Sequence, residues 1–143
     1  MADTTKVILE GLIFSECPRW YDGRVWFSDM LDHKVIACDP EGNAETVAEV
    51  PGQPGGLGFL PDGRLLIVSM TDQRLLRLDP DGLTEVADLS SLAVGNCNDM
   101  VVDIQCRAYI GDWGFVKSVP GAPKDTAHLI LVTPEGTSSI VAS

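Results

Sequence analysis

The acidic residue Glu16 lies at the mouth of the first predicted β-strand of the chain. It is part of the stretch FSECPRW, and a strand-like run, YDGRVWFSD, follows it directly. Phe14 precedes it and Pro18 follows it, and an uncompensated carboxylate in such surroundings is unfavourable if it is buried. A bound divalent cation would compensate the charge, whereas a solvated surface glutamate needs no compensation. From Glu16 alone, both interpretations remain open.

A second group of oxygen-bearing side chains lies in the stretch GNCNDMVVD, which contains Asn98 and Asp99. These residues precede a predicted strand in the third repeat of the chain, much as Glu16 precedes one in the first. Carboxylate and amide oxygens are the ligands that hard cations such as Ca²⁺ and Mg²⁺ prefer. The spacing therefore makes a cation site one of the interpretations of this pair of stretches.

The elements that position these side chains follow a threefold internal repeat. Arg24, Arg64 and Arg107 occupy one column, in the turns DGR, DGR and QCR, and the turns DPEG, DPDG and TPEG form another. Asp-Gly pairs typically mark tight turns between strands. The runs between the turns are short, apolar and rich in β-branched residues, as buried strands are.

This repeat predicts an all-β chain of three four-stranded β-propeller blades, half of a six-bladed propeller. About four strands in a unit of about 40 residues is typical of one blade. We expect a single half-propeller domain over 1–143, with blades at approximately 10–50, 51–92 and 93–143. The N-terminal stretch KVILEGL is predicted to supply the outermost strand of a neighbouring blade.

Three blades leave two apolar end faces uncovered, and such faces favour association. Closed propellers have four to eight blades around a central channel. Two copies of the chain could form one six-bladed ring about a two-fold axis, which predicts a homodimer. The other interpretation is that the chain is a fragment of a longer one.

Composition narrows the classes of partner. The 143 residues carry 10 Lys and Arg against 21 Asp and Glu, a net charge of −11. Such a charge repels phosphate backbones and anionic lipids, so we expect neither nucleic-acid nor membrane binding. The stretch MADTTKVILEGL lacks the features of a signal peptide, and no apolar run approaches the length of a membrane helix, so a cytoplasmic location is expected.

Cysteine and histidine do not point to a zinc site. The cysteines form no C-x-x-C pair and are expected to be buried free thiols, and the two histidines, His33 and His128, lie at no recognisable ligand spacing. The four cysteines are Cys17, Cys38, Cys97 and Cys106. Because no histidine lies near Ser15 or Ser28 in the repeat pattern, a serine triad is not supported either.

Three further side chains have a structural and a functional interpretation. Asp29 and Asp112 end the predicted strands FSD and IGD, where an aspartate more often stabilises a turn than faces a channel. Trp113 could stack on a sugar ring, although a place in the core of a blade is the alternative.

Two motifs of the chain resemble those of a known family. The run ECPRW, followed by the Asp-Gly turn and VWFSD, resembles the family's first motif, and NDMVVD, followed by RAYIGDWGF, resembles its second. The family is the senescence marker protein/gluconolactonase/luciferin-regenerating enzyme-like family. The resemblance implies a six-bladed propeller with one divalent metal in its channel and hydrolysis of lactones, often sugar lactones.

The resemblance also implies roles for individual residues. Glu16 matches the family's first metal ligand, and Asn98 matches an asparagine that faces the metal or the substrate. Asp99 matches a residue of the same pocket and is the nearest substitute for the catalytic base. Asn96 lies where some members have a substrate-binding arginine. With Trp113, these residues make up the predicted site.

The chain departs from the family in two ways. Gln105 and Cys106 replace the turn glycine expected in the third blade, and the family's further metal ligands, an Asn and an Asp from later blades, have no counterpart here. We therefore expect a metal-dependent lactonase that acts on a small molecule, active only as a dimer if at all. The alternatives are a non-catalytic protein that binds a metal or a small ligand, and an inert half-propeller. Ca²⁺ is the expected metal, with Zn²⁺ and Mg²⁺ as alternatives.

Overall fold

A computed structural model of the chain describes residues 5–115, 120–121 and 125–143. Within these ranges, twelve β-strands form three four-stranded antiparallel sheets, and the one helical element is a 3-10 turn at Met30–Asp32. The predicted all-β fold of three four-stranded propeller blades is confirmed. In the described part of the chain, no helix has the length and apolar character needed to span a membrane.

Each sheet is built from four consecutive strands, paired in chain order. Blade one contains β1 (Ser15–Tyr21), β2 (Arg24–Asp29), β3 (Lys34–Cys38) and β4 (Ala44–Glu49). Blade two contains β5 (Pro54–Phe59), β6 (Leu65–Ser69), β7 (Arg74–Asp79) and β8 (Gly82–Asp88). Blade three contains β9 (Cys97–Val102), β10 (Ala108–Asp112), β11 (Leu129–Val132) and β12 (Ser138–Ala142).

The turn between the first two strands of each blade requires a residue with positive φ. Gly63 supplies it in blade two at φ 86°, and Cys106 supplies it in blade three at φ 62°. A side chain is disfavoured in this conformation. The carboxylate of Asp103 compensates by accepting hydrogen bonds from the backbone N–H groups of Gln105 and Arg107. An Asx-type turn thus supports Cys106 in the position where a turn glycine was expected.

The core lies between the blades, where their facing sides pack on each other. Six side chains are buried between blades one and two: Val35, Val50, Leu57, Leu65, Ile67 and Leu76. A larger cluster extends from blade two to blade three and includes Val68, Met70, Leu75, Met100, Ile110 and Ile130. Burial of this apolar surface fixes the blades side by side and places the beginnings of β1, β5 and β9 close together.

The N-terminal segment does not add a strand to any blade of this chain, so that prediction is wrong. Residues 5–12 form no strand, and Leu9 and Leu12 instead pack on Phe27 and Ile36, on the face of blade one that points away from blade two. The segment can bury these two leucines by lying across that apolar face, which a strand position at a sheet edge would not allow.

The face of blade three that points away from blade two is not covered by any described segment. Val101, Tyr109 and Leu131 lie in register across three of its strands. The side chain of Val101 is 60% exposed. This row is called the free face of blade three below.

Candidate functional site

Two adjoining pockets lie where the first strands of the blades begin. The first has a volume of about 360 Å³ and the second about 370 Å³. The first is lined by Phe14, Glu16, Met30, Asn98, Trp113 and Phe115. The second shares three of these residues and adds Leu31, Gln53, Thr71 and Asn96. The structure therefore brings four of the five predicted site residues, all except Asp99, to one place.

Asn98 connects Glu16 to Trp113 within the first pocket. Its amide nitrogen donates to Glu16 Oε1 and its amide oxygen accepts from Trp113 Nε1, each over 3.2 Å. The reverse orientation would set two acceptors against each other on one side and two donors on the other, so hydrogen bonding selects this one. The three residues come from blades one and three and form one hydrogen-bonded chain.

One backbone hydrogen bond recurs in every blade and shows which residues are equivalent. The residue after the second strand donates its N–H to the carbonyl of the residue before the first strand. The donors are Met30, Met70 and Trp113, and the acceptors are Phe14, Gln53 and Asn96. Two residues after the acceptors come Glu16, Gly55 and Asn98, which therefore hold the same position in the three blades. Blade two contributes no side chain at this position.

Two buried aspartates hold the loops that carry these residues. Asp29 accepts hydrogen bonds from the backbone N–H groups of Ile13 (3.0 Å) and Phe14 (2.7 Å). Asp112, at the same position of blade three, accepts one from the N–H of Val94 (3.0 Å). Each carboxylate satisfies backbone donors that lead into the first strand of its blade. Both aspartates therefore have the turn-stabilising role that is the commoner one for such residues.

Asp99 points away from both pockets. Its side chain is exposed, and Oδ1 accepts a hydrogen bond from Cys17 Sγ over 3.2 Å. Burial raises the pKa of the Cys17 thiol, and the hydrogen bond to Asp99 and the charge of Glu16 raise it further, so the thiol stays protonated and remains the donor. The catalytic role of Asp99 stays a prediction.

The described residues fit the chemistry of a hard cation but supply few ligands. Glu16 and Asn98 offer carboxylate and amide oxygens, whereas Ca²⁺ takes about six to eight oxygen ligands. Within the described part of the chain, no three His, Cys, Asp or Glu side chains gather in a group that could hold a metal. The histidines take other partners, since Nδ1 of His33 contacts Pro51 O (3.0 Å) and Nδ1 of His128 contacts Leu92 O (2.8 Å). Oxygen chemistry is therefore favoured over zinc.

Blade two contributes two side chains that sequence reasoning missed. Gln53 and Thr71 line the second pocket beside Asn96. Gln53 has φ 65°, and Thr71 Oγ1 donates to Gly52 O over 3.0 Å. Alignment of the repeat could have found Gln53, because it occupies the place that Phe14 has in blade one and Asn96 in blade three. Thr71 has no such counterpart among the predicted residues.

The match to a family model decides to which protein family the chain belongs. The model described as the SMP-30/Gluconolactonase/LRE-like region matches residues 14–143. The chain belongs to this family. The resemblance expected from ECPRW and NDMVVD is thereby confirmed. A search among curated proteins finds no match.

Solved structures with the family's names share the fold of this chain. A gluconolactonase from Xanthomonas campestris is 18% identical, with a TM-score of 0.77, and the match covers 94% of this chain and 49% of that one. A calcium-binding protein, regucalcin, from Agrobacterium tumefaciens is 19% identical, with a TM-score of 0.72 and coverage of 92% and 43%. A luciferin-regenerating enzyme is 16% identical, with a TM-score of 0.69 and coverage of 91% and 45%. This member of the family thus spans about half the length of the structures that it matches.

Proposed function

We propose that Glu16 and Asn98 bind a divalent cation, with Ca²⁺ as the best fit, in a site that hydrolyses lactones. The observation that supports this most is the contact between the two side chains, which joins a carboxylate to an amide in a pocket of about 360 Å³. The pocket has room for a small ring and offers oxygen ligands at its wall. The names of the gluconolactonase and of the calcium-binding regucalcin among the similar structures agree with this chemistry.

The cation, when bound, would supply Lewis-acid activation of the lactone carbonyl and of an attacking water. The carboxylate of Glu16 would hold it and offset its charge. Phe14 and Trp113 would pack their aromatic rings on the lactone, because both line the two pockets. The amides of Asn96 and Gln53 would form hydrogen bonds with ring or exocyclic oxygens of the substrate.

The attacking water must lose a proton, and Asp99 is the carboxylate assigned to accept it. In the structure its Oδ1 is engaged by the Cys17 thiol. Because the side chain of Asp99 is exposed, it can leave the Cys17 thiol and turn towards the pockets, from which it points away in the structure. This movement would precede the proton transfer.

A second copy of the chain would supply the ligands that one copy lacks. In a C2 homodimer, the free face of blade three would pack on the partner's blade one, once segment 5–12 of that copy has left the apolar face that Leu9 and Leu12 cover, and the converse contact would close a six-bladed ring. The site would then contain Glu16 and Asn98 from each copy, two carboxylates and two amides. The apolar row formed by Val101, Tyr109 and Leu131 supports such packing.

Calcium dependence of lactone hydrolysis tests the proposed function. Purified protein should hydrolyse gluconolactone in the presence of Ca²⁺ and lose this activity in EDTA, and sedimentation should show a dimer that Ca²⁺ tightens. Calcium binding without hydrolysis of any lactone tested would favour the alternative, a non-catalytic protein that binds metal or a small ligand. Absence of both would reject the cation site.

A further inference from the structure

The hydrogen bond between Trp113 and Asn98 has a consequence for cation binding. The indole Nε1–H donates to Asn98 Oδ1, and the amide nitrogen therefore faces Glu16 Oε1. The hydrogens of that nitrogen carry partial positive charge and lie beside the carboxylate oxygen. An amide that binds a cation must present its oxygen instead. The orientation that hydrogen bonding selects thus suits a carboxylate without a cation.

We infer that the indole N–H of Trp113 holds the Asn98 amide in the orientation that opposes a cation, so that a cation bound between Glu16 and Asn98 must turn the amide over and release the indole. This inference rests on the proposed cation site. Rotation of the amide exchanges its oxygen and nitrogen. The oxygen then faces the carboxylate and the cation, while the nitrogen faces the Trp113 N–H, where two donors meet. The hydrogen bond from Trp113 is lost.

The released donor can serve the substrate. Trp113 lines both pockets and Asn98, the acceptor of its N–H, lines the first, so the hydrogen bond between them lies beside the space that a ligand would fill. A ligand oxygen that accepts from the indole would replace the bond lost by Asn98. Cation and ligand binding would therefore favour each other through Trp113, because each one stabilises the turned amide.

The variant Trp113→Phe separates the contribution of the indole N–H donor from that of the aromatic ring. It keeps a ring to pack against Phe115, whose centroid lies 6.1 Å from that of Trp113, and it removes the donor. Calorimetric titration should show Ca²⁺ binding roughly threefold to tenfold tighter than in the wild type, the factor that corresponds to one hydrogen bond. The ligand, titrated as gluconolactone in saturating Ca²⁺ on a short timescale, should bind more weakly. Trp20→Phe is the matched control, since Trp20 is 67% exposed and lies outside both pockets.

Nuclear magnetic resonance of the indole N–H groups gives a readout that needs no activity. The chain has three tryptophans, and each resonance can be assigned from its Trp→Phe variant. Without metal, Asn98→Ala should shift the Trp113 resonance and leave the Trp26 resonance unchanged, because Trp26 Nε1 donates to Tyr21 O over 3.0 Å. In the wild type, Ca²⁺ should move the Trp113 resonance in the same direction as Asn98→Ala.

The outcomes separate the inference from the proposed function. If Ca²⁺ binds, but Trp113→Phe binds it no more tightly than the wild type does, the cation site stands and the inference is rejected. If the Trp113 resonance does not shift in Asn98→Ala, the hydrogen bond between the two residues is rejected. If wild type, Trp113→Phe and Trp20→Phe all fail to bind Ca²⁺, both the proposed function and the inference are rejected.

Discussion

Cys17 Sγ donates a hydrogen bond to Asp99 Oδ1 over 3.2 Å, although 82 residues separate the two in the chain. The bond joins β1 of blade one to β9 of blade three. Close by, Arg19 Nη2 donates to the carbonyl oxygen of Met100 over 2.6 Å. These contacts join the inner strands of two non-adjacent blades. Glu16 directly precedes Cys17 and Asn98 directly precedes Asp99, so the contacts also keep Glu16 and Asn98 within hydrogen-bonding distance of each other.

Replacement of Glu16 by Gln should weaken Ca²⁺ binding at least about tenfold, because a hydrogen bond or ligand contact that involves a charged group contributes about 1.5–3 kcal/mol. Calorimetric titration measures the affinity, and far-ultraviolet circular dichroism should show an unchanged β fold. Glu41→Gln is the matched control, since Glu41 is exposed in a turn of blade one. Equal affinity in the wild type and Glu16→Gln would return Glu16 to the status of a hydrogen-bonded pocket residue.

Replacement of Asp112 by Ala should lower the free energy of unfolding by about 2–4 kcal/mol, since it leaves the N–H groups of Val94 and Gly114 without their acceptor. Ser69 holds the same position in blade two, and its buried Oγ has no hydrogen-bond partner among the residues that the structure describes. Ser69→Ala should therefore change stability by less than about 1 kcal/mol. Urea unfolding measures both. Similar losses in the two variants would contradict the role assigned to Asp112.

Stability should decline in alkaline solution because of a buried thiol. Burial raises the pKa of the Cys97 thiol from 9.0 to about 12, with the charges of Asp112 and Asp72 adding to it. A raised pKa means that the folded state holds the proton more tightly, so the stabilisation is complete below about pH 9 and is lost as the pH rises towards 12. Between pH 9 and 10 this thiol should account for about 1 kcal/mol of lost unfolding free energy.

The variant Cys97→Ala tests this origin of the decline. It removes the titrating group, so its unfolding free energy should fall less steeply above pH 9 than that of the wild type. Val68→Ala opens a cavity in the same buried cluster without removing any titrating group and should keep the wild-type slope. Equal slopes in Cys97→Ala and Val68→Ala would show that other groups cause the decline.

Replacement of Val101 by Lys should raise the dissociation constant of the proposed dimer about tenfold or more, because it places a charge in the free face of blade three. Sedimentation velocity over a range of concentrations measures the constant. Ile104→Lys is the control: Ile104 is 90% exposed, more than Val101, but lies in the turn between β9 and β10. An unchanged dissociation constant in Val101→Lys would show that the dimer contact does not involve the free face of blade three.

Sequence reasoning reached the strands of this protein because their determinants are local. The Asp-Gly turns and the short apolar runs between them predict a hairpin without reference to distant residues. The N-terminal segment shows the limit of that reasoning. Its leucines resemble those of a strand, but the face of blade one that they cover is created only when blade one has formed.

The candidate site was reached in part. Glu16 and Asn98 stand out by residue type and place in the repeat, and the structure brings them together with Trp113. Gln53 was passed over because blade two has no ionisable residue at its entry and an amide does not stand out by type. Asp99 was placed in the pocket with its neighbour Asn98, but successive side chains of a strand point to opposite faces, and Asp99 turns towards Cys17.

The sequence by itself determined the period of the repeat, the turns and the family, because each depends on residues that are close in the chain. Tertiary structure alone decided which atom of Asn98 faces Glu16 and which carboxylate faces the pocket. Those features depend on hydrogen bonds between blade one and blade three, and such bonds form only after burial of the apolar faces has fixed the blades side by side.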